Sequence, residues 1–255
     1  MRLIAALLTL THSFTSALSI SLPNVKPPVG DANQGGGYRI PTIHESAVLA
    51  RRILDREKIG TLSTVFPIAH SAENRPSDVG GSPIGLPDYF ANCEPETGNP
   101  TILELPIATS FKNVQAGSNI SLSLRWHAPY KHWYSVASVP RFNLVGYLEE
   151  FTSTEVEDEG IAACFLKKHP DAAAWLPGNR IHVSKWVRFV VQDIYWIGGF
   201  GDRAYIGWIP LEEWQSVTRE EIEEARLPGE ERAGRDSWIS WLGLGGDEQQ
   251  QTLDR

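Results

Sequence analysis

Runs of β-branched and aromatic residues recur at positions 61–66, 88–92, 101–106, 119–126, 142–151, 186–197 and 204–209, with turn residues between them. Successive side chains on a strand point to opposite faces, so each run can bury one face only against another element. Within the first run, Leu62, Thr64 and Phe66 fall on one side and Ser63 and Val65 on the other. This succession predicts a mainly β, α+β chain built as an antiparallel barrel or sandwich. At 255 residues and 42% apolar content, the chain can bury a core without a disulfide scaffold or a structural metal. Its formal charge of −8 repels phosphate backbones, which argues against a nucleic-acid partner.

Helical patterns punctuate the strands. Thr42 and Glu45 have the spacing of a capping box ahead of apolar Ala47, Val48, Ala50, Ile53 and Leu54, predicting a helix that ends near Gly60. Residues 159–176 read as two helical pieces broken at His169-Pro170, where the proline ring cannot continue a helix. Residues 211–214 and 218–225 also read as helical, the second opening on Thr218-Arg219-Glu220-Glu221. Residues 70–88 carry Pro76, Gly80, Gly81, Pro83, Gly85 and Pro87, and read as a long surface loop. Gly198-Gly199-Phe200-Gly201 lacks the spacing of a dinucleotide fingerprint and reads as a hairpin turn.

At the N-terminus, Met1 and Arg2 precede an apolar run over residues 3–10 and a small, polar stretch reaching Ser19, the layout of a secretory signal peptide. The run has about half of the ~20 residues that cross a bilayer, so export without a membrane span is expected. The mature chain is then secreted or delivered to a vacuolar or lysosomal lumen. Residues 1–19 are the signal, 20–41 a flexible leader, and 227–255 a polar tail whose apolar exceptions are Trp238, Ile239, Trp241 and Leu242. In an oxidising compartment Cys93 and Cys164 are a candidate disulfide, and sequence leaves open whether they approach within bridging distance. Asn119-Ile120-Ser121 is either an N-glycosylation acceptor or an unmodified polar strand end.

The chain has no Gly-x-Ser-x-Gly elbow, His-Glu-x-x-His pair, Walker loop or paired Cys-x-x-Cys. Residues 126–134 set His127 and His132 among aromatic rings, but no third ligand stands near them and no metal site is expected. The rings read better as a cover for a barrel end or a subunit contact. Thr109, Ser110 and Lys112, together with Thr61, Ser63 and Thr64, could surround a phosphate dianion; equally, they are ordinary strand, cap and surface residues.

Several segments taken in order carry a resemblance. These are Gly60-Thr61-Leu62-Ser63-Thr64-Val65, Leu86-Pro87-Asp88-Tyr89-Phe90, Thr109-Ser110-Phe111-Lys112-Asn113-Val114, Pro140-Arg141-Phe142 with Gly146, and Gly199-Phe200-Gly201. Together they resemble the flavin-type split β-barrel superfamily, which includes pyridoxamine 5'-phosphate oxidases, and within it the CREG family of secreted cellular repressor glycoproteins. The resemblance places a split-barrel domain of Greek-key type with flanking helices at residues 42–226. It implies a homodimer, and in FMN-using relatives a flavin in the cleft between subunits. Lys112 then matches a phosphate-binding basic residue, Ser110 stands where those relatives carry histidine, and Arg141 matches a polar residue opening its strand. CREG-type members are regarded as having lost the flavin, and here residues 70–88 and 126–139 are the candidate obstructions of the cleft. The haem-degrading branch holds iron through a histidine, and no histidine follows Glu212. The resemblance therefore implies a non-catalytic glycoprotein that binds a protein or glycan partner and needs no cofactor. An FMN-dependent oxidoreductase of the pyridoxamine-phosphate-oxidase-like type is the alternative.

Overall fold

The computed structural model describes residues 39–68, 75–129, 136–201 and 203–230. The signal peptide, most of the leader, residues 130–135 of the aromatic stretch and the tail beyond Glu230 lie outside them. Helix α1 (Ile43–Arg56) begins at the expected capping box, in which the Thr42 hydroxyl accepts from the Glu45 N–H and the Glu45 carboxylate accepts from the Thr42 N–H. Its inner face buries Ala47, Ala50, Ile53 and Leu54 completely. Beside them Arg51 is also fully buried, donating to the carbonyls of Trp214 (2.7 Å) and Pro95. Burial draws the Arg51 pKa down to about 10, against the pull of Glu96. Gly98 at φ 72° leaves room for this arginine, because a Cβ there would lie 2.7 Å from its guanidinium and from Trp214 Nε1.

Among the described residues, eight strands form one sheet: β1 (Ile59–Val65), β2 (Pro83–Tyr89), β3 (Ala91–Glu94), β4 (Asn99–Glu104), β5 (Ile120–Arg125), β6 (Arg141–Glu150), β7 (Lys185–Ile197) and β8 (Ile206–Ile209). Their order is β2-β1-β5-β6-β7-β4-β3, all neighbours are antiparallel, and β8 also pairs with β7. The two end strands, β2 and β3, are consecutive in sequence and separated only by Phe90. One bent segment thus supplies both edges, and the sheet rolls into a split barrel. At the bend the Phe90 N–H donates to the Lys58 carbonyl, and the Phe90 carbonyl accepts from His169 Nε2 at 2.8 Å. His169 also stacks on Tyr89 with ring centroids 4.2 Å apart, and burial pushes its pKa down.

β2 corrects the expected loop over residues 70–88, since all of Pro83–Tyr89 pairs with β1. Pro83 and Pro87 lack N–H groups, but they share one parity with Gly85, so Ile84, Leu86 and Asp88 face β1 with theirs. An edge strand tolerates this arrangement, and its small, rigid residues hid the β signal.

β6 and β7 are the long strands, and their pairing shifts at Val145/Gly146, where β7 carries an extra residue. The burial of β7 shifts with it: Val187, Phe189 and Val191 face the core before the bulge, Ile194 and Trp196 after it. A Cβ on Gly146 would lie 2.0 Å from the Val190 carbonyl oxygen, so only glycine fits there.

The main core fills the barrel with Leu62, Ile102, Phe111, Leu122, Leu144, Phe189 and Ile194 among others, and α1 and Trp214 close it. α5 (Leu211–Gln215) and α6 (Arg219–Glu224) pack on α1. Leu227 is buried in the same core, and Arg52 grips Glu230 with two hydrogen bonds of 2.9 and 3.0 Å. A second cluster lies where α3 (Ser153–Asp158), α4 (Ile161–Lys168) and the 3-10 turn Pro170–Trp175 cover β3, β4 and the start of β7. The helical break at His169-Pro170 falls where expected. Cys93 on β3 and Cys164 on α4 are disulfide-bonded, with Cα atoms 5.8 Å apart. No helix among the described residues is long and apolar enough to cross a membrane.

Candidate functional site

The alternation of β1 divides the hydroxyls proposed for a phosphate. Thr64 points inward and is buried beneath α2 (Thr109–Gln115), where its Oγ1 accepts from Asn113 Nδ2 at 3.0 Å. Ser110, also on α2, is buried alongside. The Thr64–Asn113 bond fastens α2 to the barrel. Lys112 lies on the exposed side of the same helix. Thr61 and Ser63 face the opposite way, onto the outer surface of the sheet, and so does Arg141. The structure therefore brings together Thr64 with Ser110, and Thr61 with Arg141, but it does not gather all six candidates around one anion.

The outer face has its own organisation. Cross-strand register aligns Pro87, Thr61, Ser123, Asn143, Tyr195 and Trp208 in one row across β2, β1, β5, β6, β7 and β8. Asn143 Nδ2 donates to the hydroxyls of Ser123 (2.7 Å) and Ser121 (3.3 Å), tying the middle of the row together. At its far end Tyr195 and Trp208 meet edge to face, with centroids 5.1 Å apart, and Trp208 remains 58% exposed. One step along the strands, Arg125 and Arg141 are direct cross-strand partners. With Thr61, Ser123, Asn143, Tyr195 and Ile197 they line a hollow of about 290 Å³. Arg141 Nη1 donates to the Ala137 carbonyl at 3.1 Å.

A second hollow of about 480 Å³ adjoins the end of α1. In its wall, Glu57 accepts from the His127 backbone N–H (2.7 Å) and pairs with His127 Nδ1 (2.8 Å), while His127 Nε2 accepts from Arg125 Nε (2.8 Å). Trp126 is not a surface ring of this loop; it is 7% exposed, and its Nε1–H donates to the Pro228 carbonyl at 2.7 Å. Asn119 is exposed just ahead of β5. Among the described residues, no group of His, Cys, Asp and Glu is placed to hold a metal ion.

Sequence reasoning missed Arg125. The available signal was its position at the end of one strand run, with Arg141 opening the next, which become opposite partners once the two runs are paired as neighbours.

The rolled antiparallel sheet, its bulged long strands and the flanking helices define a split β-barrel. A family model for the CREG β-barrel matches residues 41–216. The chain belongs to that family. Among solved structures, it is similar to a haem-binding protein from Mycobacterium smegmatis, with a TM-score of 0.51 and 17% identity over 69% of this chain and 61% of that one. It is also similar to a candidate pyridoxamine 5'-phosphate oxidase from Listeria innocua, with a TM-score of 0.37 and 11% identity over 61% of this chain and 98% of that one. At 17% identity the likeness to the haem-binding protein concerns the fold alone. Curated proteins gave no match.

Proposed function

We propose that the protein is an exported, non-catalytic binding member of the CREG family, active as a homodimer and carrying a glycan at Asn119. The observation that carries this reading is the division of the phosphate-site candidates by β1. Thr64 and Ser110 are sealed under α2, with the Thr64 hydroxyl bonded to Asn113, while Thr61, Ser63 and Arg141 lie on the far side of the strand. A flavin phosphate needs hydroxyl and cationic donors converging on one point. The six candidates, divided between the two faces of β1, do not converge on one point, so no redox step is derived through a flavin. The exposed Tyr195, Ile206 and Trp208 supply an apolar surface of the kind that partners cover.

The test is to express the mature chain with FMN supplied, purify it and record its visible spectrum. A colourless product with no thermal shift on adding FMN is expected, because a ligand specific for the native state raises its stability. A stoichiometric flavin band lost in Lys112→Ala would replace this reading with the oxidoreductase. Light scattering is expected to give twice the chain mass.

A further inference from the structure

Arg125 and Arg141 stand directly opposite each other on β5 and β6, and neither has a carboxylate within ion-pair distance among the described residues. Like charges placed directly across a strand pair destabilise a sheet. Elsewhere the same sheet neutralises its cations carefully: Arg188 on β7 pairs with Glu94, Glu149 and Glu155. The arginine pair instead opens into the hollow whose other walls offer the hydroxyls of Thr61 and Ser123, the Asn143 amide and the Tyr195 ring. Two guanidiniums, hydroxyl donors and one aromatic wall form the donor set of a site for an oxyanion on a small polar body.

Arg125 also carries a latch. Its Nε–H donates to Nε2 of His127, a bond that requires the neutral ring with its proton on Nδ1, facing Glu57. When the ring gains a proton, Nε2 becomes a donor and can no longer hold Arg125. The charged groups around the imidazole are Glu57 on its Nδ1 side, Arg125 on its Nε2 side, and Arg56, Lys58 and Glu230 lining the same hollow. Glu230 pairs with Arg56 across 3.3 Å.

We propose that Arg125 and Arg141 anchor a site for a small oxyanion-bearing ligand on the outer face of the sheet, and that His127 restrains Arg125 at neutral pH and frees it in acid. The site deepens the binding reading given above. Sulfate is the principal probe, because its charge is constant over the range from about pH 8 to about pH 5 in which an imidazole titrates. Succinate is the second, presenting planar carboxylates instead of a tetrahedral anion. Each is titrated into the mature glycoprotein by calorimetry and thermal shift, against sodium chloride of equal ionic strength.

Saturable binding is expected, weakened about tenfold by Arg125→Gln and by Arg141→Gln, since each removes charged hydrogen bonds to the anion. Arg180→Gln, an exposed cation elsewhere, leaves it unchanged. The wild type binds more tightly at acidic pH. His127→Gln keeps an acceptor for Arg125 at every pH, so it holds the neutral-pH affinity throughout. Response to either probe supports the site and reports the anion geometry it prefers. No response to either probe, or equal loss in Arg180→Gln, overturns the site; a pH dependence unchanged in His127→Gln overturns the latch. A yellow protein that still binds sulfate through both arginines would sink the non-catalytic reading and leave the site standing. A colourless protein indifferent to both anions would do the reverse.

Discussion

Replacing Arg188 with methionine is expected to cost about 3 kcal/mol of folding stability near neutral pH. Arg188 projects from β7 toward the second cluster, 12% exposed, with its guanidinium 4.1 Å above the Phe151 ring. Methionine keeps much of that packing and removes the charge. The energetic centre is Glu94, 10% exposed and 3.0 Å from Arg188 Nε. Burial pushes the Glu94 carboxyl above the usual range, and the bonds from Arg188 oppose that rise. Without Arg188, Glu94 is left buried with its partner gone and must either carry an uncompensated charge or take up a proton, the situation for which losses of about 3–5 kcal/mol are typical. Glu149 is half exposed, so its share falls within the ~0–1 kcal/mol of a surface pair.

The pH dependence separates this mechanism from lost packing. A carboxyl whose folded pKa exceeds its unfolded one binds a proton preferentially in the native state, so stability falls as pH rises through that window. Removing Arg188 raises the folded pKa of Glu94 further, and the cost of the substitution grows from acid toward neutrality. Urea unfolding of wild type and variant at about pH 5 and about pH 7.5 measures it, and the 3 kcal/mol loss corresponds to a midpoint lowered by roughly 1–2 M. A cost under about 1 kcal/mol near neutrality, or an equal cost at both pH values, would refute the reasoning.

Removing the disulfide with paired Cys93→Ser and Cys164→Ser substitutions frees a loop spanning a sequence separation of 71, and about 4 kcal/mol of stability should go with it; thermal unfolding against the oxidised wild type reads the loss. His44 Nε2 and Nδ1 lie 2.9 Å from Glu221 and Glu213, joining α1 to α6 and α5, and those bonds raise its pKa while holding Glu221 at about 2. The His44 contribution is complete below the unfolded histidine pKa and disappears as pH rises through the folded one, whereas the Glu221 contribution disappears only as pH falls toward 2. His44→Gln should therefore cost under about 1 kcal/mol, with its largest effect in mild acid, and a pH series of chemical melts will show it.

The strands with branched and aromatic alternation were legible because burying one face of each demands that pattern, and the capping boxes of α1 and α6 were legible because their contacts span only three residues. The break at His169-Pro170 followed from ring sterics alone. β2 escaped notice because an edge strand needs donors on one side only, and Pro83, Gly85 and Pro87 satisfy that while carrying no β propensity. The bonding of Cys93 to Cys164 depended on how the second cluster folds, which local pattern does not encode. Among the site candidates, the alternation already placed Thr64 opposite Ser63, but whether α2 covers one side of β1 is a tertiary fact. The same is true of Arg125: its meaning lies in the residue across from it, and register is invisible until the hairpin is formed.

Because a single residue, Phe90, separates the two rims of the barrel, their side-chain parities are locked to one another. An inserted amino acid after Phe90 would leave β2 in place yet rotate all of β3 to the wrong face, carrying the Cys93 sulfur away from Cys164 and Ala91 out of the second cluster. Length variation, tolerated at most surface turns, costs this corner either a flipped strand or a compensating bulge.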